Sequence, residues 1–330
     1  MTTLAELQSL YELPFFELVT RSRQVFLEHW KQDAVQLCSL LSIKTGGCSE
    51  DCAYCSQSAH YQTGITREEL MNPQDVIERA KAAKAAGATR FCMGAAWRGV
   101  SENDSKLQPV LEMVRGVAAL GMEVCVTLGN LTPRSAQMLK EAGVTAYNHN
   151  LDTSPDFYPK IVTTHTYQDR LNTIRHASAA GMAICSGGII GMGETIIDRL
   201  KMLEVLASFD PPPESLPINC LQPIPGTPLA DQPPVDPFEL IRLIAVARIT
   251  FPRTRIRLSA GRTNLSRETQ AWCFFAGANS IFFGGKLLTA KNPSVESDYA
   301  LFETLGIKTC DSNMSSPASE ACATSCNLSA

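Results

Sequence analysis

Alternation of short β-rich runs with helical patterns restricts the fold more than any other feature of this chain. Apolar and β-branched runs occupy 35–43, 89–93, 123–128, 146–151, 183–187, 215–220, 254–258 and 280–283. Helical periodicity fills the intervals at 73–86, 107–120, 133–142, 167–180, 194–208, 237–250 and 265–276. Pro73 stands at an expected first helical position, and Gly87, Gly121, Gly143, Gly181 and Gly277 each follow a helix, where a left-handed cap favours glycine. Strands and helices alternating over roughly 250 residues predict an α/β fold, a TIM-type (β/α)8 barrel spanning 35–309. A doubly wound open sheet is the alternative, and strand number with even spacing favours the barrel. An amphipathic N-terminal helical segment, 1–34, comes first, with Leu4, Leu7, Leu10, Val25, Phe26 and Trp30 as its apolar contacts. The Ser/Ala-rich stretch 310–330 is expected to be a disordered and dispensable tail.

Composition narrows the setting. Apolar residues make up 45% and charged residues 19% of 330, an ordinary globular balance. A net charge of −4 gives no basic field for nucleic acid or anionic lipid. Residues 1–11 lack a basic region followed by an apolar stretch, and no apolar run approaches the ~20 residues that span a bilayer. A cytoplasmic protein is expected. Twelve cysteines in that compartment point to metal rather than disulfides.

Three of them, Cys48, Cys52 and Cys55, are separated by three residues and then two. Three such thiolates can hold three irons of a 4Fe–4S cubane and leave the fourth iron open, whereas an electron-transfer cluster takes four cysteines. An open iron implies chemistry at the site. His60 offers a Cys3His zinc knot as the alternative. Three more cysteines fall on predicted strands: Cys92, Cys125 and Cys185, with Arg257 on a fourth. Side chains alternate across a strand, so each can face a barrel interior. Alone, each cysteine suits a small buried hydrophobe, and Cys38 and Cys220 are coincidences of the same kind. The arginine shifts the balance, because a guanidinium inside a barrel is costly unless it meets negative charge. An anionic iron–sulfur cluster would supply it.

The cysteine loop resembles the signature of the radical S-adenosylmethionine (SAM) superfamily. Five segments in order extend the likeness to the biotin synthase family, over about residues 20 to 307. They are 47–58 around the loop cysteines, 90–98 around Cys92, Tyr147-Asn148-His149-Asn150-Leu151-Asp152-Thr153, Arg255-Ile256-Arg257-Leu258-Ser259-Ala260-Gly261-Arg262, and Asn279-Ser280-Ile281-Phe282-Phe283-Gly284.

That resemblance implies sulfur insertion into dethiobiotin to form biotin, a transferase reaction of biotin biosynthesis. It implies that Cys48, Cys52 and Cys55 bind a 4Fe–4S cluster, and that Cys92, Cys125, Cys185 and Arg257 ligate a 2Fe–2S cluster that donates the sulfur. It places SAM against Tyr54, Asn150, Asp152, Arg170 and the glycine-rich turn carrying Gly187, Ile189 and Gly191. It places dethiobiotin near Asn148, Asn150 and Asn219, the last an amide suited to a cyclic urea. His149 is expected to be structural. An electron donor such as flavodoxin or ferredoxin, iron–sulfur assembly proteins and a homodimer are the implied partners, with no nucleic acid and no membrane. A hydrogenase-cofactor maturase or a methylornithine synthase would lack the Cys92, Cys125, Cys185 and Arg257 set. An iron–sulfur carrier would need neither the SAM elements nor Asn219.

Overall fold

The structure, a computed structural model, describes residues 2–30 and 33–310; the predicted tail beyond Cys310 lies outside the described residues. Eight parallel strands form a closed ring: β1 (Ala34–Lys44), β2 (Arg90–Ala95), β3 (Glu123–Thr127), β4 (Ala146–Asn148), β5 (Ala183–Cys185), β6 (Ser215–Cys220), β7 (Arg255–Leu258) and β8 (Ser280–Phe282). Each pairs with the next, and β8 returns to β1 with Gln36 opposite Ser280. The barrel expectation therefore holds, and the open sheet does not. β4 and β5 are shorter than the sequence suggested, although His149 N–H still donates to the Cys185 carbonyl at 3.0 Å and Ser186 N–H to the Ser215 carbonyl at 2.9 Å beyond their ends.

Around the ring lie α3 (Pro73–Ala85), α4 (Leu107–Ala119), α5 (Pro133–Ala142), α6 (Tyr167–Ala179), α7 (Ile196–Ala207), α8 (Pro237–Thr250) and α9 (Arg267–Phe275). Their starts are chemically marked. Asn72, Thr132 and Asp236 cap α3, α5 and α8 just before a proline, and Thr166 and Thr195 form capping boxes with Asp169 and Asp198. The N-terminal segment is two helices, α1 (Leu4–Tyr11) and α2 (Phe15–His29), because Pro14 cannot continue the first and precedes the second. A helix absent from the sequence reading, α10 (Val295–Leu305), follows β8. A short strand, Lys308–Thr309, then pairs with the start of β1, and the Cys310 amide donates to the Val35 carbonyl at 3.0 Å. Cys310 is thus buried at the barrel base, a correction to a tail that begins at this residue.

Strand alternation sorts the interior into layers. At the base, Arg90 bonds Glu123 at 2.8 Å, Glu214 at 3.0 Å and Ser215 at 2.8 Å, closing the floor with Gln36. Two residues beyond Gln36, Arg90 and Glu123 lie Cys38, Cys92 and Cys125, which with Cys185 and Ala146 form a buried cluster separate from the larger apolar core between sheet and helices. The rim is tied by Arg262, just after β7, which donates to Asp298 of α10 at 3.2 Å and to the Phe282 carbonyl at 3.1 Å. Both partners are essentially without exposure. Removing one leaves an uncompensated buried charge, so Asp298→Ala is expected to cost about 3–5 kcal/mol. A lower denaturant midpoint at unchanged m would register it; an unchanged midpoint contradicts the assignment.

Candidate active site

The chain leaves β1 through Gly46 and Gly47, both left-handed (φ 70° and 66°), and this reverses it over the barrel mouth. The cysteine loop is then knitted to itself. The Gly46 amide donates to Gln57 Oε1 at 3.1 Å, Cys48 N–H to the Gln57 carbonyl at 2.9 Å, and Ala59 N–H to the Cys48 carbonyl at 2.7 Å. It is also knitted to the segment before α6. Ala53 N–H donates to the Ile161 carbonyl at 2.9 Å, and the Asp51 carboxylate accepts the amides of Thr163 and Thr164 at 2.9 and 3.2 Å. Glu50, buried beside it, pairs with His165, accepts the Thr164 hydroxyl and meets Arg98 at 3.3 Å.

This loop presents Cys48, Cys52 and Cys55 to a cavity of about 280 Å³ whose deeper lining includes Cys92, Cys125 and Arg257. Burial pushes all three loop thiols up, Cys55 to about 11. They are thiols at neutral pH, and metal would displace their protons. His60 is exposed, meets the Ser49 carbonyl at 3.1 Å and does not line the cavity, so the zinc knot lacks its fourth ligand. Among the described residues no three His, Cys, Asp or Glu side chains close on one point as a single metal ion requires.

Below the loop, Cys38, Cys92, Cys125 and Cys185 are buried together in one cluster. Arg257, with no exposure, adjoins it: Nη1 lies 3.5 Å from Cys185 Sγ and Nε donates to Ser280 Oγ at 3.0 Å. Its Nη2 is buried without a hydrogen-bond partner among the described residues. A donor left unmatched beside converging thiols is what an anionic iron–sulfur cluster would satisfy, so these residues fit such a group. Cys38 stands apart in acidity. Burial raises it, but the neighbouring Cys92 thiol and the charges of Arg257 and Arg90 override that and bring it to about 7. Cys220 packs in the outer core and Cys273 in α9, away from this ring.

The wall opposite the loop is built on Asp152. Its φ of 65° is a left-handed value unusual outside glycine. Backbone bonds to the glycine turn hold it there: Asp152 N–H to the Gly187 carbonyl at 3.2 Å and Ile189 N–H to the Asp152 carbonyl at 2.8 Å. Its carboxylate accepts Tyr54 Oη–H at 2.7 Å and pairs with Arg170 at 2.7 Å. Arg170 also donates to the Asn150 carbonyl at 2.7 Å and to Tyr158 Oη at 2.6 Å. It lines the cavity, but each of its nitrogens is engaged by protein, so it positions the 150–152 segment. Asn148 spans Thr127 at 3.0 Å and Cys185 Sγ at 3.3 Å, and Asn150 accepts the Gly187 amide at 3.2 Å. Asn219 donates to the Gly188 carbonyl at 3.0 Å and accepts from the Ala260 amide at 3.2 Å. One donor and one lone pair of its amide remain for a ligand.

Ile189 lines an adjoining cavity of about 240 Å³ that shares Tyr54, Asn150, Asp152 and Asn219 with the first. Gly187 and Gly191 line neither; a Cβ on Gly187 would sit 2.0 Å from the Pro217 carbonyl oxygen, so close strand packing requires its glycine. His149 lines the cavity, and burial holds its imidazole neutral. Sequence reasoning missed Gln57, Glu50, His165 and Tyr158. The signal was present in Glu50-Asp51: two carboxylates among thiolates must find donors elsewhere, and they find them at 163–165.

Two family models match the chain: the radical SAM superfamily over residues 42–206, and the biotin and thiamin synthesis associated domain over 217–308. Both fall within one closed barrel, the first ending at α7 and the second opening in β6. Curated relatives named biotin synthase include those of Methylobacterium sp. (strain 4-46), 56% identical over 92% of each chain, and Bordetella avium, 58% identical over 92% of this chain and 94% of that one. A similar relative from Gloeobacter violaceus is 54% identical over 93% and 96%. Among solved structures, a methylornithine synthase superposes with a TM-score of 0.79 at 20% identity over 94% of each chain. The FeFe-hydrogenase maturase from Carboxydothermus hydrogenoformans gives 0.79 at 18% identity, over 93% of this chain and 76% of that one. At those identities the two share the fold.

The Asp51 clamp yields a test. Burial alone would raise its carboxyl, but the bonds from Thr163 and Thr164 override it and hold it at about 2. A depressed carboxylate contributes above the ordinary range, so the clamp is intact at neutral pH and is lost as pH falls from about 4 toward 2. Asp51→Ala at pH 7 should raise amide exchange across 48–58 and 161–165 by roughly five- to thirtyfold, about 1–2 kcal/mol of lost local stability. Unchanged protection would show that the loop is held by other contacts.

Proposed function

The chain belongs to the biotin synthase family of radical SAM enzymes, and on that premise we propose that it inserts sulfur into dethiobiotin with a barrel 2Fe–2S cluster as the donor. The observation that carries the proposal is the stacking of two thiol sets along one cavity. The loop set lies at the mouth, and the strand set with the unmatched Arg257 Nη2 lies beneath it.

When bound, the 4Fe–4S cluster with SAM supplies a 5′-deoxyadenosyl radical, and the 2Fe–2S cluster supplies sulfide. The protein's part is to hold and separate these groups. Cys48, Cys52 and Cys55 would hold the upper cluster at the cavity mouth. Asn150 and Asp152 would face the ribose of SAM, with Tyr54 lining the same cavity and the Gly187-to-Gly191 turn behind. Asn219 would offer its amide to the ureido group of dethiobiotin, with Asn148 and Asn150 near the substrate. Cys92, Cys125, Cys185 and Arg257 would hold the lower cluster, where the guanidinium would offset its negative charge. The barrel wall and cysteine loop keep water from the reacting atoms.

No helix among the described residues is long and apolar enough to cross a membrane. We place the enzyme in the cytoplasm as a homodimer, reduced by a flavodoxin or ferredoxin and loaded by iron–sulfur assembly proteins. Its function is tested by anaerobic reconstitution and assay of 5′-deoxyadenosine and biotin with and without dethiobiotin. Biotin formed with dethiobiotin supports it; 5′-deoxyadenosine without biotin points to another radical SAM reaction. Cys48→Ala, Cys52→Ala or Cys55→Ala should abolish both products. Asn219→Ala should weaken dethiobiotin binding about five- to a hundredfold, as expected for roughly 1–3 kcal/mol from an unpaired polar group, with SAM affinity unchanged. Equal loss of both affinities would remove Asn219 from the substrate site.

A further inference from the structure

Four thiols, not three, face the barrel interior. Cys38 on β1 is fully buried and belongs to the same cluster as Cys92, Cys125 and Cys185. On one side it packs in the same cluster as Cys92 of the neighbouring strand; on the other Cys38 Sγ lies 3.6 Å from Ser280 Oγ, which accepts from Arg257 Nε at 3.0 Å. Cys38 therefore reaches the arginine end of the ring through a single hydroxyl. Gln36 Oε1, at 3.4 Å, is the other polar atom near its sulfur.

Ligand chemistry gives this position meaning. A 2Fe–2S cluster ordinarily takes four thiolates, and a guanidinium must lose a proton before a nitrogen can bind iron. We propose that Cys38 is a fourth thiolate for the barrel cluster, taking the iron position that Arg257 otherwise fills. The inference rests on the barrel holding a 2Fe–2S cluster, as argued above. In the exchange an iron–nitrogen bond breaks and an iron–sulfur bond forms, while the Cys38 proton passes to the released guanidine across Ser280. No electron moves. Cys220 and Cys273 cannot substitute, because both pack outside the ring.

The test compares wild type, Arg257→Ala, Cys38→Ser and the double variant, each reconstituted anaerobically with iron and sulfide. The readouts are Mössbauer spectra, iron and sulfide per chain, and the rate at which a chelator bleaches the 2Fe–2S absorption. Near-ultraviolet circular dichroism and loading of the loop cluster report the fold. Each single variant should keep a near-normal 2Fe–2S component, because the other ligand remains. The double variant should lose it about tenfold faster to chelator, the lower range of effects from disturbing a metal site's surroundings. Equal lability of Arg257→Ala and the double variant, in folded protein, would overturn the role of Cys38. Absence of any 2Fe–2S component in wild type carrying a full loop cluster would instead overturn the proposed function, and this inference with it.

Discussion

A guanidinium with no exposure sits among sulfurs in the middle of the barrel, and the rest of the site is arranged around it. Burying an unpaired charge costs several kcal/mol. At the 3.5 Å between Arg257 Nη1 and Cys185 Sγ, a thiolate would return about 5 kcal/mol at an effective dielectric constant near 20. A neutral thiol returns far less. The interior is therefore balanced when its sulfurs are anionic, which is the condition that iron imposes. The unmatched Nη2 and the charged floor of Arg90, Glu123 and Glu214 follow the same rule: each charge is placed opposite its complement, or where a complement will bind.

The mouth is governed by geometry more than by charge. Asp152 holds a left-handed backbone because Gly187 and Ile189 pin it from one side, while Tyr54 and Arg170 grip its carboxylate from the other. Tyr54 lies within the cysteine loop, so this one carboxylate joins the loop to the wall across the cavity. Glu50 and Asp51 make a second seam to 161–165. The loop is held at both edges, and thiols that would otherwise move with a long surface segment are fixed over the barrel axis.

Strand alternation and helix caps made the barrel legible in sequence, since Pro73, Pro133 and Pro237 mark helix starts by a local mechanism. α10 was not legible, because its contacts with the rim are long-range and its start at Ser294 lies in a polar stretch. The loop cysteines were readable from spacing. Cys92, Cys125 and Cys185 were readable as inward-facing only once strands were assigned, and the family likeness chose them. Cys38 could not be separated from Cys220 by that reasoning. The folded barrel separates them: Cys38 is buried with Cys92, Cys125 and Cys185, whereas Cys220 belongs to the larger apolar core. The Glu50–His165 pair lies 115 residues apart in sequence and leaves no local pattern.

The central claim is that the strand thiols, and not the loop, hold the sulfur that reaches the product. Mössbauer spectroscopy on anaerobically reconstituted Cys92→Ala, with a biotin assay on the same sample, tests it most directly. The account predicts loss of the 2Fe–2S component, retention of the 4Fe–4S component, and no biotin. A normal 2Fe–2S component together with biotin formation would contradict it.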